Sequence, residues 1–191
     1  MEYIEKLLDM KLRDNSKEHV EKRREFIRAT KRDDSLAVVL KAHLYIEKAL
    51  EELLEHGIKN FEVLGLKYFR EKLNLCYAVG LIDKDLYVAL KKFNTIRNNY
   101  GHRVEFEINE GDFKEIYDLL NDTQQFEYKE DIKLELLVEE ESFNLRIRVL
   151  LASLYSEVVI ACQLVDNTIA ENFIEWQSKV LDQYKKILEK E

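Results

Sequence analysis

The stretch LRIRVLLASLYSEVVIAC, residues 145–162, decides the fold class because it is apolar on most sides of a helical wheel. A helix of this kind belongs in the centre of a protein. It lies in a chain of 191 residues that has five Gly, no Pro and 46% apolar residues. Since no Pro interrupts the chain and apolar side chains suffice for a full core, the sequence predicts an all-α fold and excludes disordered or collagen-like chains.

The remaining sequence divides into three parts around this central helix. Residues 1–33 are predicted to form a charged N-terminal helical extension that packs peripherally, and residues 34–166 a helical core. Residues 167–191 are predicted to form a C-terminal amphipathic helix that packs on the core or on a second copy, because their apolar residues recur at steps of three and four. The two last helical segments are thus expected as a long C-terminal helix pair.

Caps and stops place the helices of the core. Asp34 is predicted to cap a helix that ends at Gly57 in the left-handed conformation. A third helix is expected from about Leu64 to Gly80, and Asp83 is expected to cap a fourth that reaches Tyr100. Residues 104–111 are predicted as an extended arm, followed by a short helix that Asp112 caps, whereas residues 121–141 are ambiguous.

Charge is unevenly distributed along the chain, although the formal total is −8. Residues 67–103 carry eight positive and three negative charges, and residues 17–32 seven and three. Residues 104–142 carry three positive and fourteen negative charges, which would repel phosphates. The pattern excludes nucleic-acid binding over the whole surface but permits a local basic cleft, with solvated helix faces as the plainer interpretation.

Cysteine usage and the termini indicate a reducing cytoplasm. Cys76 and Cys162 are not spaced as metal ligands, and the N-terminus lacks an apolar signal stretch. No apolar run approaches the roughly 20 residues of a membrane span, so no membrane association is expected. The sequence also has no His-Glu-x-x-His and no Gly-rich phosphate loop, so neither a metal nor a cofactor is predicted.

Polar residues interrupt the apolar stripes of two helices. On the fourth helix, Arg97 falls about 40° from Phe93, inside the stripe, and must be paired or line a cavity. On the second helix, His43 and Glu47 lie within the stripe, and Glu47 is a candidate partner for Arg97 or His43. A buried polar cluster that fixes the register of the helices is the alternative to a chemical role.

Arg97-Asn98-Asn99-Tyr100-Gly101-His102 resembles the motif of the HEPN superfamily, an Arg followed four to six residues later by His. The surrounding FREKLNLCYAVGLIDKDLYVALKKFNTIRNNYGH, residues 69–102, resembles the mannitol operon repressor-like branch. LKAHLYIEKALEELL, residues 40–54, is similar to the second helix of that family. The resemblance covers residues 34–165 and implies a HEPN-like helical bundle.

The resemblance implies a metal-independent endoribonuclease of toxin or phage-defence type that acts as a homodimer on RNA. The resemblance assigns proton transfer to His102, stabilisation of the phosphate to Arg97 and an orienting role to Asn98. The same family also includes non-catalytic regulators, so a regulator that resembles the mannitol operon repressor and acts through protein contacts is the alternative. An antitoxin or a regulatory protein is then a possible partner, and a purely structural role for Arg97 and His102 is a third interpretation.

Helix geometry sets a condition on this site. On an ideal helix His102 lies about 140° from Arg97, whereas Asn98 and His102 share a face. Arg97 and His102 are therefore expected to converge only if the chain turns after Tyr100, which Gly101 would permit, or if a second subunit completes the site.

Overall fold

A computed structural model of the chain describes residues 18–102 and 108–188, and describes side chains for residues 18–99, 108–166 and 168. In these ranges all regular secondary structure is helical, which confirms the all-α prediction. The helices are α1 (residues 18–29), α2 (Ser35–Gly57), α3 (Phe69–Ala78), α4 (Lys84–His102), α5 (Glu110–Tyr117), α6 (Asp122–Glu135) and α7 (Phe143–Leu188), with a 3-10 turn at Phe61–Leu64.

Helix α7 is the centre of the bundle, as its apolar sequence predicts. Its first half is buried, including Leu145, Val149 and Leu154, and its most extensive packing is against α2. The segments predicted as a pair of C-terminal helices form one continuous helix of 46 residues. Residues Phe143–Asp166 are long and apolar enough to cross a membrane, contrary to the sequence estimate, and 61% of their most apolar window is buried in the bundle.

Local capping chemistry fixes the start of α2, the end of α3 and the start of α4 as predicted. The backbone N–H of Ala37 donates to Asp34 Oδ1 at 2.8 Å, and that of Leu86 donates to Asp83 Oδ1 at 2.8 Å. Gly80 ends α3 with φ of 77°, a left-handed conformation that favours glycine. The turn that follows brings α4 back alongside α3.

The prediction that Gly57 is left-handed is wrong. Gly57 is the last residue of α2 and is not among the positive-φ glycines of the described chain. The space that a side chain at Gly57 would enter is instead filled by Leu81, because a Cβ there would lie 2.7 Å from both Cδ atoms of that leucine. The glycine leaves room for this side chain, which would have to shift to admit a Cβ. Helix α3 also begins later than expected, at Phe69.

The acidic region contains two short capped helices. Asn109, and not Asp112, caps α5: Asn109 Oδ1 accepts from the backbone N–H of Gly111, and Asp112 closes a reciprocal capping box. Residues 104–107 of the predicted extended arm lie outside the described residues. Asn121 caps α6, which settles the ambiguous segment as helix as far as Glu135.

Of the charged N-terminal extension, residues 1–17 lie outside the described residues, and the rest is α1. Phe26 on α1 is fully buried between Tyr45 of α2 and Tyr155 of α7, with ring centroids 5.3 Å and 6.1 Å away. Arg23 donates to Ser153 Oγ at 2.9 Å and pairs with Asp131. Helix α1 is thus joined to the core by both apolar and ionic contacts.

Candidate functional site

A solvent-open cleft of about 270 Å³ lies where α2, the start of α3 and the C-terminal half of α4 meet. The cleft brings together four of the five predicted site residues, two from α2 and two from α4. Residues of the loop before α3 and of its first turn complete it. The lining residues are His43, Glu47, Lys67, Tyr68, Phe69, Arg70, Asn94, Arg97 and Asn98.

Arg97 reaches the cleft from the apolar stripe of α4, where Phe93 and Ile96 beside it are buried. Its Nη1 donates to Asn98 Oδ1 at 3.2 Å, while its Nε is buried without a hydrogen-bond partner. Within the described part of the chain no carboxylate lies within ion-pair distance of Arg97. The sequence predicted that this guanidinium would either pair or line a cavity. It lines a cavity, and its positive charge faces the open cleft.

His43 forms the buried wall of the cleft and is only 6% exposed. Its ring stacks on Phe69 with centroids 4.5 Å apart, and its Nε2 lies 3.2 Å from Asn94 Oδ1. Burial lowers the pKa of His43, and the charge of Arg97 lowers it further. At neutral pH the imidazole is therefore uncharged, and one of its ring nitrogens is able to accept a proton.

Glu47 pairs with Lys72 and approaches His43, and so does not neutralise Arg97. Glu47 Oε1 lies 3.3 Å from Lys72 Nζ, and Glu47 Oε2 lies 3.8 Å from His43 Nδ1. Lys72 is buried, which opposes its charge, but Glu51 at 2.8 Å and Glu47 together raise the pKa of Lys72. Of the two partners predicted for Glu47, the structure places His43 near it and not Arg97. The main ion pair of Glu47 is with Lys72, which was not predicted.

Lys72 was missed by sequence reasoning, although a signal for it was present. It lies on the buried face of α3, three residues after Phe69 and four before Cys76. Arg97 was identified on α4 by a helical spacing of the same kind, four residues after the buried Phe93. A lysine in that position requires an anionic partner, and α2 supplies two carboxylates one turn apart. Asn94 was also missed, because its contact depends on how α2 and α4 pack.

The surface of the cleft is cationic. Lys67 and Arg70 are exposed at its rim, and neither forms an ion pair with a carboxylate in the described residues. The nearby Glu71 carboxylate is occupied, since it accepts from the backbone N–H groups of Lys67 and Tyr68 at 3.1 and 3.2 Å. Together with Arg97 these groups form a site suited to a phosphate or another oxyanion.

His102 is the last residue of α4, and its side chain lies outside the described side chains. The chain does not turn after Tyr100, since α4 continues as helix through Gly101 to His102, so the first of the two conditions for convergence of Arg97 and His102 is not met. However, the hydrogen bond to Asn98 carries the Arg97 guanidinium toward the helix face that Asn98 and His102 share. Arg97 and Asn98 are thus brought together, and the backbone places His102 one turn beyond Asn98.

The described residues provide neither a metal site nor a reactive cysteine. In residues 18–102 and 108–188 no group of three or more His, Cys, Asp or Glu is suited to hold a metal ion. Cys76 and Cys162 are buried free thiols that donate to the carbonyl oxygens of Leu50 and Ala49. Burial raises the pKa of each thiol to about 12, which keeps both protonated and unreactive.

The Arg97–His102 segment occupies the C-terminal end of α4, which follows the turn at Gly80. No protein-family model matches the chain, and no curated protein and no solved structure matches it at a significant level.

Proposed function

We propose that this HEPN-like protein is a metal-independent endoribonuclease, of the toxin or phage-defence type that the sequence resemblance implies. The observation that carries the proposal is Arg97, a cation that no carboxylate of the described chain neutralises, in a cleft whose rim bears Lys67 and Arg70. A guanidinium with free donors matches the paired oxygens of a phosphodiester.

The proposed reaction is an internal transesterification. The ribose 2′-oxygen attacks the adjacent phosphorus and loses its proton to a base, and the bond to the 5′-oxygen breaks as that oxygen gains a proton from an acid. The products are a 2′,3′-cyclic phosphate and a free 5′-hydroxyl. His102 transfers protons, Arg97 stabilises the negative charge that develops on the phosphoryl oxygens, and Asn98 orients the guanidinium.

The active form is proposed to be a homodimer. One imidazole cannot be both base and acid in the same instant of a concerted reaction, and two copies of the motif would supply two imidazoles. The C-terminal seam of residues 167–191, predicted to pack on the core or on a second copy, is the candidate contact between the copies.

The test measures cleavage of single-stranded RNA in the presence of a chelator. Wild-type protein should release fragments with a 2′,3′-cyclic phosphate, and Arg97→Met and His102→Ala should each lose activity. Arg28→Met is the matched control, because Arg28 lies on α1 with an exposed side chain whose ion pair is to Glu21 at 3.7 Å. Full cleavage by either folded site variant would overturn the assignment of the site.

The alternative is a non-catalytic regulator that acts through protein contacts, and the surface of α2 favours it. Leu36, Leu40 and Leu44 recur every four residues and are 43%, 39% and 65% exposed. An antitoxin or regulatory protein would use such a stripe. On this hypothesis Leu44→Glu abolishes the effect on expression of a sugar operon while His102→Ala retains it, and no RNA is cut.

A further inference from the structure

One face of the α3–α4 hairpin carries two matched rows of polar and aromatic side chains that lead away from the cleft. Each row follows the heptad-like spacing that keeps residues on one side of a helix. The rows run antiparallel, because the short turn at Gly80 reverses the chain. We call the rows the hairpin track; its residues are Arg70, Asn74 and Tyr77 on α3, and Tyr87, Lys91, Asn94 and Asn98 on α4.

Contacts between the rows fix their alignment. At the far end the rings of Tyr77 and Tyr87 stack with centroids 4.4 Å apart and planes 15° apart. Tyr87 Oη donates to Asn74 Oδ1 at 3.1 Å, and Lys91 Nζ lies 5.7 Å from the Tyr87 ring centroid. At the near end Arg70 lines the cleft opposite α4. From Tyr87 to Asn98 the track spans about 16 Å along α4.

The chemistry of the track matches single-stranded RNA. It contains two cations, three amides and two phenol rings and no carboxylate, and Tyr77 is 40% exposed. Of the carboxylates near the track, Glu71 accepts from backbone N–H groups and Asp83 accepts from that of Leu86. Asp85 lies two positions before Tyr87, which places it on a different side of α4. Exposed aromatic rings beside a row of cations bind unpaired bases by stacking and their phosphates by charge.

We propose that the hairpin track binds the part of an RNA strand that flanks the nucleotides in the cleft. A base stacks on the exposed side of Tyr77, and phosphates lie beside Lys91 and Arg70. A duplex would not fit this role, because its bases have no free face for the tyrosine. The inference rests on the proposed function for the identity of the ligand, but the tyrosine pair and Asn74 lie outside the cleft and outside the reacting group.

The test is the affinity of full-length His102→Ala protein for fluorescent single-stranded RNA of about 4 and about 16 nucleotides, measured by anisotropy. Tyr77→Ala should weaken binding of the long RNA roughly tenfold and leave the short one unchanged. Tyr77→Phe, which keeps the ring, should restore the affinity. Lys91→Gln should weaken binding and lower the salt slope by about 1, whereas Lys48→Gln, the same change on an exposed lysine of α2, should not.

The outcomes separate this inference from the proposed function. Unchanged affinity for long RNA in both Tyr77→Ala and Lys91→Gln overturns the track and assigns this face to a protein partner, whether or not the enzyme cleaves. If Tyr77→Phe binds as weakly as Tyr77→Ala, base stacking is also overturned. Length-dependent loss of binding in Tyr77→Ala supports the track even if Arg97→Met cleaves RNA normally, in which case the cleavage mechanism alone fails.

Discussion

The same substitution at two arginines of this fold should have opposite effects on stability. Arg97 lines the open cleft with one hydrogen bond to its neighbour Asn98 and a buried Nε without a partner. Arg148 is only 2% exposed, pairs with Glu139 and donates to the carbonyl oxygen of Lys31 at 3.3 Å. Replacement by Met keeps most of the aliphatic stem and removes the charge at either position.

For Arg97→Met the free energy of unfolding should rise slightly. The variant loses one solvent-exposed hydrogen bond worth about 1 kcal/mol and relieves a buried unpaired donor that costs about 1–3 kcal/mol. The net gain of about 1 kcal/mol corresponds to a Tm about 2–4 °C higher in a chain of this size. Cleavage of RNA should nevertheless fall by about a hundredfold to a thousandfold, because the transition state loses its cation.

For Arg148→Met the free energy of unfolding should fall. Among the described residues, the change leaves Glu139, which is 20% exposed, with only Lys31 at 3.9 Å as an ion-pair partner. Removing one member of such a pair costs about 3–5 kcal/mol, and relief of the unpaired Nε of Arg148 reduces the loss to about 2 kcal/mol. The Tm should drop by about 4–8 °C.

Thermal melts followed by the helical circular dichroism signal measure both variants beside the wild type. The reasoning is refuted if Arg97→Met melts as far below the wild type as Arg148→Met does. That result would make Arg97 part of the packing of the bundle, and its loss of activity could then follow from misfolding. It would remove the physical ground for placing a phosphate in the cleft.

Two further predictions concern the wall of the cleft and the α2 contact. Because the pKa of His43 is lowered from 6.5, the unfolded chain takes up its proton first as the pH falls below about 6.5, and the fold loses stability there. His43→Gln should flatten the dependence of urea midpoints on pH between about 7 and 5; an unchanged slope would show that other groups cause it. Gly57→Ala should lower the Tm, because its Cβ meets Leu81 at 2.7 Å, at a cost of about 1–3 kcal/mol. In a Leu81→Ala background the same change should raise the Tm through helix propensity, and an effect of one sign in both backgrounds would contradict the contact.

Helix ends were predictable where they depend on neighbouring residues. Asp34 and Asp83 cap the helices that follow them, and Gly80 ends α3, because these interactions span three or four residues. Gly57 shows the limit of local reasoning. The sequence identified Gly57 as a special position, but the reason is its contact with Leu81, which is 24 positions away in the turn between α3 and α4 and meets Gly57 only after that turn has packed on α2.

Part of the candidate site was predictable for a different reason. A charge on an apolar stripe has few physical solutions, so Arg97 could be expected either to pair or to line a cavity before the cleft was seen. The choice among partners was not predictable, because Lys72 reaches Glu47 only through the relative rotation of α2 and α3. The stacking of Tyr77 on Tyr87 likewise follows from the alignment of two helices.

The polar groups beneath the cleft explain why its surface remains cationic. Glu47 lines the same cleft as Arg97 and would neutralise it if it were free. Lys72 pairs with Glu47 at 3.3 Å while His43 stays uncharged, so Glu47 already has a cationic partner of its own. Since the buried pair is satisfied, the charge of Arg97 is left for a ligand. Lys72 is therefore a positioning residue, and its loss would free Glu47 to compete with phosphate for the guanidinium.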